Sequence, residues 1–235
     1  MKKVFILLMI TVMAAGCARF LPQRPTVMID WIDFVKLNGI TYDAVMSKDG
    51  QALVSDDLGE VFGTVRFEVS GNVTWTGYKI KDGDAAYLPA GTQIYRVKGY
   101  DPKFRVAARR DGQVTLYEAD TNPAAKVGSD LLDLEGKVDH IVIRSMVDGS
   151  PLSEIRQPDV VAEMVGAVLT APVFGPGARG GDATSSENRY GITFVFKDGT
   201  ATTRTYWPDS HFLWAGPGLK LPESFSVALR GALPK

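Results

Sequence analysis

Six Asn-Gly or Asp-Gly pairs punctuate this chain, at 38–39, 49–50, 82–83, 111–112, 148–149 and 198–199. A two-residue type I′ turn needs positive φ at both central positions, and these are the residues that tolerate it. The flanks agree with that reading. Residues 29–37 and 40–45 surround Asn38-Gly39, residues 104–108 and 114–117 surround Asp111-Gly112, and residues 190–196 and 200–206 surround Asp198-Gly199. In the last pair Tyr190, Ile192, Phe194 and Phe196 share one face by the two-residue period of a strand. Turns this frequent predict antiparallel sheet rather than alternating βαβ units.

Two helices interrupt the pattern, both in the second half. Residues 158–169 put Val160, Val161, Met164, Val165, Val168 and Leu169 on one stripe. Pro158 suits a first helical turn, Asp159 and Glu163 sit near the positive dipole end, and Pro172 bars continuation. A second helix opens at Pro222-Glu223, with Phe225, Ala228, Leu229 and Leu233 as its buried stripe. Between the halves, residues 119–129 are weakly periodic and rich in turn formers. The predicted class is α+β: an antiparallel β-rich module over 26–120, a linker over 121–136, and an α+β module over 137–235 with two helices on an antiparallel sheet. A single continuous domain is the alternative, since β-rich domains of about 200 residues occur.

The first seventeen residues carry a different signal. Met1-Lys2-Lys3 gives a positive n-region, residues 4–13 an apolar run, and Ala14-Ala15-Gly16 small residues suited to a cleavage site. The run is shorter than the roughly 20 residues a spanning helix needs. Ala14-Ala15-Gly16-Cys17 resembles the lipobox of bacterial prolipoproteins, with Ala14 where that motif most often has Leu. The resemblance implies a signal peptide over 1–16, cleavage before Cys17, and diacylglyceryl and palmitate-type chains on Cys17. It implies a protein held by lipid on the extracytoplasmic face of the cell membrane. Two or more acyl chains hold stably where one does not. Residues 17–25 would then be lipidated N-terminus and tether, and the eight residues after Cys17 span at most about 26–29 Å. A plain secretory peptide, with Cys17 a free thiol, is the other reading. Residues 33–42 and 91–100 are similar to small uncharacterised lipoproteins of Gram-positive, spore-forming bacteria, a resemblance that implies no activity.

Composition excludes several chemistries. The chain has 26 basic and 27 acidic residues, so it offers no basic footprint for nucleic acid. One cysteine and two histidines leave little for a thiol mechanism or a metal centre, and no cofactor is expected. Asp82-Gly83-Asp84 lacks the ligand ladder of a calcium loop and reads as a turn. No G-x-S-x-G elbow occurs, and the contiguous Asp209-Ser210-His211 cannot form a relay among themselves. His211 reads as part of a turn between Pro208 and Phe212, with pairing to a distant serine left open. His140 sits on a strand over 138–143 and reads as structural. The run Gly175-Pro176-Gly177-Ala178-Arg179-Gly180-Gly181 follows a helix and lacks the Gly-Lys-Ser/Thr ending of a phosphate loop, so it reads as a connection.

Two candidate binding surfaces remain. Residues 96–110 hold Arg96, Lys98, Lys103, Arg105, Arg109 and Arg110 against Asp101 alone. Such a stretch near a membrane suits anionic headgroups or an anionic wall polymer. The blander reading, which is favoured, makes Arg105 and Arg109 the solvated face of a strand whose Phe104, Val106 and Ala108 point inward. The second surface is the aromatic stretch 206–214, with Trp207 and Trp214 as stacking residues for sugar or peptide. The same aromatics suit a core closing over the last helix, and core is favoured, with Trp214 the one expected in solvent. The expected function is that of a non-catalytic binding or accessory protein of the cell envelope, its partner a wall polymer, anionic lipid or envelope protein. An envelope hydrolase acting on wall glycan or peptide is the alternative.

Overall fold

A computed structural model describes residues 27–45, 50–174 and 188–234. The expected signal peptide over 1–16, Cys17, the expected tether, Asp49 and the glycine-rich run at 175–181 lie outside the described residues. The chain is β-rich, with two sheets and two helices, an α+β fold.

The first sheet contains β1 (Phe34–Leu37), β2 (Ile40–Ala44), β3 (Leu58–Thr64), β4 (Phe67–Glu68), β5 (Asp84–Ala85), β6 (Gln93–Val97), β7 (Arg105–Arg110) and β8 (Gln113–Thr121). Their spatial order is β3-β6-β7-β8-β2-β1-β5-β4. The two edge strands, β3 and β4, are also neighbours in sequence, separated only by Val65 and Arg66. The sheet must therefore curl until its edges approach. Val65 donates its N–H to the Thr92 carbonyl, and Arg66 donates to Gly83, at the corner where they meet. Val35, Tyr42, Val65, Ile94, Val106 and Tyr117 fill the concave interior. Each such side chain contributes about 1.5–3 kcal/mol when fully buried.

The second sheet contains β9 (Val138–Ser145), β10 (Pro151–Ile155), β11 (Tyr190–Phe196), β12 (Ala201–Trp207), β13 (Phe212–Trp214) and β14 (Gly218–Lys220). It runs β10-β9-β11-β12-β13-β14 with every pair antiparallel. Helices α1 (Pro158–Thr170) and α2 (Glu223–Ala232) contribute Val161, Met164, Val168, Phe225 and Leu229 to a core shared with Ile192 and Phe194. The period-two face of β11 and both helical stripes pack as expected from the sequence. Among the described residues, no helix is long and apolar enough to cross a membrane.

Turn chemistry follows two of the glycine pairs closely and departs from the expectation at others. Asn38 (φ 52) with Gly39 (φ 80), and Asp111 (φ 50) with Gly112 (φ 79), are the two positive-φ pairs of type I′ hairpins. At Asp198-Gly199 only the glycine is left-handed, and the loop is one residue longer. Asp82-Gly83 makes no hairpin. It leads into β5, which pairs parallel with β4, and a parallel pair cannot be closed by a tight turn. The Asp82 carboxylate instead accepts the Gly39 N–H at 2.9 Å, tying the first hairpin to this turn.

The stretch 121–136 connects the sheets and is itself packed. Leu131, Leu132 and Leu134 are buried in the second core, and Val127 bridges to Pro172. The Asp130 carboxylate accepts the Lys126 and Val127 N–H groups, which hold it below the usual carboxylate range.

Candidate functional site

Residues directly opposite in paired strands share a face, about 4.5–5.5 Å apart at Cβ. Arg105 of β7 faces Glu118 of β8, and Glu118 faces Asp43 of β2. One row of charged side chains thus crosses the convex face of the first sheet. On the second sheet Phe194 pairs with Thr202 and Ile192 with Arg204, so the apolar face of β11 is continued on β12 by polar groups. These two faces meet.

Their junction is an ionic cluster. Arg105 donates to Glu118 at 2.6 Å and to the Thr200 hydroxyl at 3.0 Å. Its guanidinium is sandwiched by Tyr100, Phe104 and Phe196, whose ring centroids lie 4.3–4.6 Å away. Glu118 also accepts from Thr202 at 2.6 Å and Arg204 at 2.9 Å. Tyr100 and Thr200 both donate to Asp198. Burial pushes the Asp198 carboxyl up, but these hydrogen bonds outweigh it and hold it below its ordinary range. The cluster is cement between the sheets: each of its side chains meets a charged or hydroxyl partner, while the buried Nε groups of Arg105 and Arg204 meet no acceptor among the described residues.

The end of the row is different. Asp43, Asp120, Arg204 and Trp214 line a cleft of about 250 Å³ where the second sheet stops covering the first. Burial, then the charges of Asp120 and Asp33, push the Asp43 carboxyl up to about 6. Gly216 lies against the Asp120 backbone with φ +95, so close that a Cβ there would run into the Asp120 carbonyl oxygen. Larger depressions exist, including a groove of about 720 Å³ between α1, α2 and β10. The smaller cleft stands out because polar groups, an indole and a perturbed carboxyl converge in it.

The sequence-predicted surfaces fare unevenly. Trp207 is buried at 8% exposure and packs on Phe212, its indole N–H meeting no acceptor among the described residues. Trp214 is half-buried on the cleft wall. The basic stretch does not form one patch. Arg105 is fully buried, which corrects both sequence readings of it, because the β11–β12 turn closes over that part of the convex face. Register sends Arg96 to the concave side with Val106, where it stacks over Phe62, while Arg109 lies on the convex side near Tyr95. Arg96 also pairs with Glu60 at 2.9 Å, and the Lys98 ammonium donates to the Asp56 carbonyl.

His211 does meet a distant serine. Its Nδ1 lies 2.9 Å from Ser226 Oγ, and the Tyr206 hydroxyl lies 2.5 Å from the same oxygen. Ser226 is fully buried on α2, so these contacts lock the helix to the sheet. His140 pairs with Asp139 beside it. No residue of the cleft except Trp214 was singled out by sequence reasoning. Asp43, Asp120 and Arg204 alternate with neighbours as any strand face does, and no local motif marks them.

Compared with protein-family models, with curated proteins and with solved structures, the chain matches none.

Proposed function

We propose that this chain is a lipid-anchored, extracytoplasmic binding protein of the cell envelope, tethered through Cys17, with the cleft at Trp214 as its ligand site. In this reading a β-rich module over 26–120 precedes an α+β module over 137–235, and the cleft lies where they join. The observation that supports it is the convergence of Trp214 with Arg204, Asp43 and Asp120. An indole face with hydrogen-bonding groups around it suits a sugar-like or other small polar ligand. At about 250 Å³ the cleft lies just under the 300–1,000 Å³ typical of drug-sized ligands, so it suits one terminal unit of a wall polymer.

A thermal-shift panel of wall fragments, sugars, peptides and headgroups tests the site. A ligand at 100 times its Kd adds about 2.7 kcal/mol to stability, and Trp214→Ala should erase that shift. A shift that survives Trp214→Ala places the ligand elsewhere. Cys17→Ala should release the chain from membranes, and unchanged fractionation would remove the anchor.

One observation favours a hydrolase as the second reading. A carboxyl near 6 suits general acid–base work at neutral pH. If wall glycan or peptide is cleaved, Asp43→Asn should abolish turnover while leaving binding intact.

A further inference from the structure

The described chain begins at Val27, whose N–H donates to the Thr74 carbonyl at 2.9 Å. The tether therefore joins the folded body beside Trp75. That neighbourhood is aromatic and open. Trp75 packs edge-on against Tyr78 at 6.0 Å, and Tyr78 packs against Phe67 at 6.2 Å. Yet Trp75 and Phe67 remain 36% and 37% exposed, and the Met28 side chain is wholly in solvent. Exposed cations flank the rings, with Arg66 next to Phe67 and Lys79 and Lys81 after Tyr78. Of the acids in this segment, Glu68 stands half-buried after Phe67, Asp82 holds the Gly39 N–H and Asp84 is buried against the Tyr78 hydroxyl.

Tether length decides which face meets the bilayer. The ten residues from Cys17 to Val27 reach at most about 33–36 Å. A compact body of about 200 residues has a radius of gyration near 16 Å, so a path around it to the far side runs about 65 Å. The tether cannot make that turn. The side carrying Trp75 is the one it can bring down.

We propose that the Trp75–Tyr78–Phe67 surface is a second, interfacial membrane contact, which lays the anchored body on an anionic phospholipid bilayer in one orientation. The inference rests on the lipid anchor at Cys17. Indole and phenol rings partition to the headgroup level, and flanking lysines and arginines favour anionic lipid. The lipid anchor supplies attachment, and this surface supplies orientation.

The test uses the full chain isolated from membranes and reconstituted into vesicles of equal parts phosphatidylglycerol and phosphatidylcholine. A single new thiol is introduced at exposed Thr76 (T76C), or at Val147 (V147C), a solvent-exposed residue of the β9–β10 turn. Each thiol carries a solvent-sensitive fluorophore. The label at 76 should be shielded from iodide several-fold better than the label at 147. Reversing charge at Lys79 or Lys81 should weaken that shielding, at roughly fivefold in surface affinity per charge. Equal quenching at both positions, on a chain that floats with vesicles and carries acyl mass on Cys17, overturns the surface and keeps the anchor. Shielding at 76 without acyl mass on Cys17 keeps the surface and removes the anchor. Wet labels on an unacylated, unbound chain remove both.

Discussion

Arg105 and Arg109 leave the same face of β7, yet one is fully buried and the other stands in solvent. The strand beneath them is regular and paired with β8 throughout. What differs is the cover. Phe196 and Thr200 close over Arg105 from the second sheet, whereas Arg109 lies 6.0 Å from the ring of Tyr95 in its own sheet. A guanidinium's role is thus set by what packs across it, and two identical side chains become cement and solvated surface.

The contrast is broken most severely at the counter-ion. Glu118→Ala strips the buried Arg105 of its partner and should cost about 3–5 kcal/mol, read from the midpoint of urea unfolding. Replacing both, as R105M with E118L, should recover part of that loss, because well-packed apolar pairs often match buried ion pairs, while Arg204 still goes without its partner. A double variant as unstable as the single one would locate the cost in shape and not in charge.

Next in size is the contact where the cleft closes. Gly216→Ala places a methyl group against the Asp120 carbonyl in a left-handed backbone, and should cost about 2–4 kcal/mol. Substitution at Gly112, whose φ is +79 but whose Cβ would meet nothing, should cost less and isolates the backbone strain.

A smaller effect has the opposite sign. The Asp43 carboxyl sits at about 6 in the fold against an ordinary 3.8. The folded chain therefore holds this proton more tightly than the unfolded chain does. Its contribution is fully favourable below about pH 4, is lost as pH rises towards 6, and stays lost above. Asp43→Asn should stabilise the protein by about 1–2 kcal/mol at neutral pH and hardly at all at pH 4. A variant with the wild-type pH profile would clear Asp43 of that role. The smallest change is Arg109→Ala, within about 0.5 kcal/mol by the same unfolding measurement. A large loss there would erase the distinction between the two arginines.

Legibility in the sequence tracks distance along the chain. The hairpins at Asn38-Gly39 and Asp111-Gly112 were readable because the turn residues carry their own geometry. Both helices and the inner face of β11 were readable from periodicity. Closure of the first sheet was not, since it needs β3 and β4 at opposite edges, and β5 parallel to β4 although the Asp82-Gly83 pair before it signals a hairpin. Arg105 was misread because an alternating strand looks the same whether its polar face meets water or another sheet. Its cover arrives from Phe196 and Thr200, some ninety residues later. The cleft was legible only at Trp214. A carboxylate such as Asp43 becomes notable through its burial and then through Asp120 and Asp33 around it, and no spacing rule brings those three together.

The charged row has a further consequence when the chain is considered as it is made. The last strand of the first sheet ends at Thr121, while the Thr202 and Arg204 groups that cap Glu118 lie 84 and 86 residues beyond it. At a synthesis rate of about 5–20 residues per second, that delay lasts on the order of 4–16 seconds. During it, the middle of the surface awaiting its cover is Arg105, Glu118 and Asp43, which water solvates well. A purely apolar seam would spend those seconds as an adhesive. Arg105 and Glu118, which tie the finished sheets together, are thus also groups that water can solvate until their cover arrives.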